Sequence, residues 1–218
     1  MIRSFTSLCK LFLLNLTDEA IFQSMTDEFH YKNYACQNCG TIGKLSSYNN
    51  YSRNLIQYIN GKTGAQRIKP QRFECKSCKK THALLPGILI PYSPYSLRFT
   101  LIVLIAYYER NTTVVKLCER FGIAVSTLYE WKKRMLAHKE LMFGILKSIK
   151  ESAPVFLKGL LEAPGLSERL YDFFNRHGFS FMQSKPTPAT RCHPPWTAVH
   201  FYSHFFHAIG MYCFENPC

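Results

Sequence analysis

Cys36-Gln37-Asn38-Cys39-Gly40 and Cys75-Lys76-Ser77-Cys78-Lys79 are two C-x-x-C pairs with 35 residues between them. Two intervening residues let one tight turn aim both thiolates of a pair at a single ion, and zinc prefers four such ligands in a tetrahedron. A single pair is ambiguous, because thiol–disulfide enzymes use the same spacing. Two pairs bracketing a hairpin signal are far more specific. Cys36, Cys39, Cys75 and Cys78 are therefore the expected ligands of a structural Zn2+, with no open coordination position for catalysis. The alternative is that one pair or both are free buried thiols. Gly40 and Lys79, each directly after a second cysteine, suit the turns. His82, four residues after Cys78, is expected to be a surface or hydrogen-bonding histidine rather than a ligand. Cys9, Cys118, Cys192, Cys213 and Cys218 have no ligand spacing, and Cys118 reads as a small core residue.

The stretch from Lys44 to Lys80 is basic. Lys44, Arg53, Lys62, Arg67, Lys69, Arg72, Lys76, Lys79 and Lys80 face one acid, Glu74. Residues 53–59 and 67–73 flank Asn60-Gly61, a dipeptide that tolerates the positive φ of a tight hairpin turn. A basic β-hairpin is expected here, with Arg67, Lys69 and Arg72 as phosphate contacts. Pro70 cannot donate to a ladder, so its strand is expected at an edge.

Downstream, helical periodicity predicts a very apolar helix near 96–109, then helices at 112–121 and 125–138. Further helices are expected near 140–151, 154–163 and 166–177, with Pro164-Gly165 as a break and Gly178 as a left-handed cap. Val114, Leu117, Phe121, Ile123, Leu128, Trp131 and Met135 pack two helices across a turn that Gly122 permits. This is a helix-turn-helix pattern. Ser126, Thr127, Tyr129, Glu130 and Lys133 point away from the packed face and can enter a major groove, with Val125 at the helix start. Lys132 and Arg134 extend the positive charge toward phosphates. Ala124 stands where a polar N-cap is expected. The alternative is a plain helical hairpin with a solvated charged face.

The fold class this predicts is α+β: a small four-cysteine zinc-ribbon β-hairpin module, then an all-α helix-turn-helix bundle and an irregular tail. The expected boundaries are 1–30 for an N-terminal extension, 31–92 for the cysteine module, 93–178 for the helical domain and 179–218 for the tail. Apolar residues make up 47% of the chain, enough for a core, so disorder is excluded. The net charge of +13 favours a polyanionic partner. The apolar run from Leu101 to Tyr108 is short of the roughly 20 residues a membrane span needs, so no membrane is expected as partner. Leu11-Phe12-Leu13-Leu14 is followed by no small-residue cleavage site, which argues against a secretory signal and for a cytoplasmic location, where paired cysteines bind metal.

With both modules in view, the chain resembles the N-terminal DNA-binding half of bacterial insertion-sequence transposases. It is particularly similar to short bacterial proteins that carry a domain of unknown function and are grouped with transposases. Cys36–Cys39, Gln71 to Pro86, Pro91-Tyr92, Phe121-Gly122-Ile123 and Ser126 to Trp131 carry the resemblance, which extends over about 31–183. It implies a nucleoid-associated partner of double-stranded DNA, linked to mobile elements. Glu151, Glu162, Glu168, Asp172 and Glu215 are the acids after residue 150, in a region with no alternating strand pattern, so a complete two-metal catalytic core is not expected. The alternatives are the DNA-binding subunit of a split transposase acting with a separate catalytic chain, or a zinc-dependent protein–protein module; besides DNA, the expected partner is a second copy in a homodimer or that catalytic chain. In the tail, His200 and His204 are spaced i, i+4, but no acidic partner accompanies them.

Overall fold

The computed structural model describes residues 1–4, 17–27, 29–162 and 166–184. Cys9, Cys192, Cys213, Cys218, the tail histidines and Pro164-Gly165 lie outside the described residues.

Asn60 and Gly61 both adopt positive φ, 48° and 80°. The turn is two residues long, and Ile59 pairs directly with Lys62. The hairpin is therefore β3 (Arg53–Ile59) and β4 (Lys62–Ile68), not 53–59 with 67–73. A two-residue turn leaves no slack, so the return strand begins at once. Pro70 does not sit in an edge strand. It is the buried bend between β4 and β5 (Gln71–Cys75).

A second, four-stranded sheet has the order β1-β6-β5-β2. Here β2 (Leu45–Asn50) and β6 (Thr81–Pro86) flank β5 antiparallel. The outer strand β1 (Ile2–Ser4) pairs parallel with β6, Ile2 opposite Leu84. It is followed among the described residues by α1 (Asp18–Asp27).

The helices follow. In α2 (Leu97–Glu109), the Ser96 side chain caps the N-terminus by accepting from Phe99 N at 2.9 Å. The Ser96 hydroxyl in turn donates to the buried Asp18 carboxylate, which ties α1 to the start of α2. Thr113 caps α3 (Val114–Phe121), and Gly122 ends it at φ 63°. Next is α4 (Val125–Phe143), five residues longer than expected because no breaker precedes Gly144. Ala124, its N-cap, makes no side-chain cap. After it come α5 (Ile145–Lys150), α6 (Ala153–Glu162) and α7 (Leu166–His177), the last closed by Gly178 at φ 72°. The fold is thus mixed α and β, with seven α-helices and small sheets among the described residues.

One core runs through both halves of the chain. Leu55, Ile68, Leu85 and Ile88 share it with Phe99, Leu117 and Trp131, so packing crosses residue 92. Phe181 and Met182 join the same core, which places the first residues after Gly178 inside rather than in a loose tail. A smaller core of Ile2, Phe29, Leu45, Phe73 and Leu84 surrounds Cys36 and Cys75. No helix among the described residues is long and apolar enough to cross a membrane.

Candidate functional site

The two cysteine turns are built alike. Gly40 N donates to Cys36 O at 2.8 Å, and Lys79 N donates to Cys75 O at 2.8 Å. Each turn closes with a second bond, Cys36 N to Thr41 O and Cys75 N to Lys80 O, both 3.0 Å. The fourth residue after each first cysteine has positive φ, 72° at Gly40 and 58° at Lys79. Both turns then aim their sulfurs inward, and β5 delivers Cys75 beside Leu45 of β2.

All four Sγ atoms lie within 4.8 Å of one another. Cys36 and Cys78 are 3.6 Å apart, and Cys39 and Cys75 are 3.7 Å apart. A zinc–sulfur bond of 2.3 Å gives a tetrahedron edge of about 3.8 Å, so the spacing suits a tetrahedral ion. All four are free cysteines. Burial pushes the Cys36 thiol up to about 12. The Thr41 hydroxyl, 3.3 Å from Cys39 Sγ, brings Cys39 down to about 6. A cation among the sulfurs would favour all four thiolates together.

His82 is not a surface residue. It is 6% exposed, opposite Phe73 on β6, with Nε2 3.3 Å from Cys36 Sγ, a position from which an Nε2–H donates to the sulfur. Burial lowers it to about 4, so it stands neutral. It belongs to the layer around the four sulfurs, which spacing alone does not reveal, since its target lies 46 residues away.

The second feature is the start of α4. Leu128, Trp131 and Met135 are buried, and Trp131 packs edge-on against Tyr95 at 4.8 Å. Val125, Ser126, Tyr129, Glu130 and Lys133 are exposed, and Thr127 is half-buried. Lys132 and Arg134 are engaged within the chain. Lys132 Nζ donates to the Tyr107 hydroxyl at 3.1 Å, and Arg134 donates to Met182 O at 3.3 Å.

The hairpin docks on the turn before α4. Thr63 Oγ1 donates to Phe121 O at 3.1 Å, Arg120 donates to the Tyr58 hydroxyl at 3.0 Å, and the Tyr58 and Phe121 rings lie 5.0 Å apart. Of the three basic residues assigned to the hairpin, Arg67 is exposed on β4, and Lys69 is exposed just beyond it. Arg72 is elsewhere: it lies on β5, bonded to Thr81 Oγ1 at 3.1 Å and over the Tyr48 ring.

Residues 34–131 match the family described as Domain of unknown function (DUF6431). The match begins two residues before Cys36 and ends at Trp131, so it takes in both cysteine turns, strands β2 to β6, α2, α3 and the exposed start of α4. No curated protein and no solved structure matches the chain.

Proposed function

We propose that this protein binds double-stranded DNA sequence-specifically, with a structural zinc ion on Cys36, Cys39, Cys75 and Cys78 and a helix-turn-helix formed by α3 and α4. The observation that carries the reading is the start of α4. A helix anchored by Leu128, Trp131 and Met135 offers Val125, Ser126, Tyr129, Glu130 and Lys133 to solvent. Such a rigid, polar helix edge is what a major groove accepts. The docked hairpin carries Lys62 and Arg67, both exposed, and in this reading they neutralise backbone phosphates. The net charge of +13 supplies the long-range attraction.

Zinc is the ion that four thiolates at tetrahedral spacing fit best, and a closed thiolate set holds structure rather than reacts. Its part is to clamp the ends of β2 and β5. The resemblance to transposase DNA-binding regions supports descent from mobile elements, with recognition retained and strand cutting left to a separate chain, where it occurs. The test is a gel-shift selection on random duplex DNA with zinc-loaded protein over a salt series. A recovered motif with salt-dependent affinity supports the reading. Absence of binding at low salt overturns it, and Mg2+-dependent strand cleavage by the purified chain refutes the non-catalytic assignment.

A further inference from the structure

The two cysteine turns are anchored unequally. The second is carried by the sheet, because Cys75 is the last residue of β5 and pairs with Leu45 of β2. The first, Cys36 to Gly40, precedes β2 and belongs to no strand, and a bridge between Ala35 and Ile42 closes it. Cys36 is nevertheless 2% exposed. Four thiolates around one divalent cation leave an excess of negative charge, and Cys36 carries its share out of reach of water. Buried negative charge requires hydrogen-bond donors.

The Asn38 amide donates to Cys36 Sγ at 3.4 Å from within the turn. His82 Nε2 reaches the same sulfur at 3.3 Å from β6, 46 residues along the chain. The imidazole is seated by the ladder that sets His82 opposite Phe73 of β5, and Tyr31 stacks on the Phe73 ring at 4.9 Å. His82 stands outside the ligand set. The group whose donor atoms lie within 4.8 Å of one another is the four sulfurs without Nε2. The imidazole therefore backs a ligand and does not replace one.

We propose that His82 is the positioning residue of the metal site. Its Nε2–H fixes the Cys36 sulfur, and with it the first turn, against β6, and so sets how tightly the ion is retained. A donor behind a ligand holds that ligand's orientation, and losing one costs about 10–100-fold in metal affinity. The same bond draws electron density from the thiolate, so the metal–sulfur bond registers it. The inference rests on the reading that these four cysteines hold one ion, and gives His82 a part that this reading leaves open.

The full-length, metal-loaded protein tests it. Proton–nitrogen correlation of the His82 ring, assigned by its absence in His82→Gln, is expected to show the proton on Nε2. Competition with a chromogenic chelator is expected to show Zn2+ affinity about 10–100-fold lower in His82→Leu, which keeps an apolar side chain in the buried space. His82→Gln, whose amide N–H can take the place of Nε2–H, recovers most of that loss. In the Co2+ form, the sulfur-to-metal charge-transfer band moves to lower energy in His82→Leu and returns in His82→Gln, a shift that packing alone does not produce. A ring proton on Nδ1 in the loaded wild type overturns the proposal, whether or not either variant folds. So does a leucine variant with unchanged affinity and band. Wild-type protein that takes up no ion overturns the metal reading and this inference together, whereas failure at His82 alone leaves the metal reading standing.

Discussion

The main-chain amide of Met182 donates to Nδ1 of His138 at 2.9 Å, fastening the middle of α4 to the segment that follows α7. The His138 ring sits among Phe173, Phe179 and Phe181 at 5.2–5.6 Å. With Nδ1 accepting, the imidazole is neutral and its proton is on Nε2. Burial, reinforced by the nearby Arg134 and His177, lowers its pKa from 6.5 to about 4. The unfolded chain therefore binds more protons in this window, and stability present above 6.5 is lost as pH falls toward 4. The slope from this one group approaches about 1.4 kcal/mol per pH unit. Urea midpoints between pH 7 and pH 5 will fall more steeply in the wild type than in His138→Asn, whose amide oxygen still accepts from Met182. Parallel curves for the two proteins contradict the assignment.

Lys79 occupies in the second cysteine turn the left-handed position that Gly40 occupies in the first. A Cβ in that region costs about 1–2 kcal/mol. Lys79→Gly is expected to raise the denaturation midpoint of the metal-loaded protein by roughly 1 kcal/mol of stability, and Gly40→Ala to lower it by a similar amount. Equal midpoints would show that the turns do not govern this step.

Removing the metal is expected to unfold the β2–β5–β6 sheet before the helices, because the small core around Cys36 and Cys75 has few apolar residues of its own. Cys75→Ser should lose zinc, measured by colorimetric release, together with the dispersed amide signals of residues 36–50 and 71–86, while those of the β3–β4 hairpin persist with the helices. A variant that retains both the ion and the sheet refutes the four-cysteine site.

Lys133 and Lys132 are neighbours with different duties. Lys133→Ala should weaken DNA binding several-fold for all sequences and lower the salt slope by about one. Lys132→Ala should mainly reduce stability, since its ammonium is bonded to Tyr107. Ser126→Ala and Glu130→Ala are expected to change which sequences are preferred. Binding by quantitative gel shift and melting temperature, measured on the same variants, separate these outcomes.

Several of these features were readable from neighbouring residues alone. The C-x-x-C turns, the Asn60-Gly61 hairpin, the glycine caps at Gly122 and Gly178 and the uncapped Ala124 all rest on φ preferences and bonds spanning about five residues. Such contacts carry their own signature wherever they occur. The basic composition runs on past Pro70 and points to 67–73 as the partner of β3, whereas the pairing follows the two-residue turn and takes residues 62–68. Arg72 consequently belongs to the other sheet.

The sequence by itself determined that four cysteines would form two matching turns and that two helices would meet across Gly122. Only the tertiary structure decided that β1 would pair with β6, that His82 would face Cys36, and that Lys132 and Arg134 would be held within the chain. These contacts join residues far apart along the chain, 86 positions from Arg3 to Leu89 and 44 from His138 to Met182. No local preference encodes them. They follow from which surfaces remain to be covered once one shared core has closed around α2 and α4.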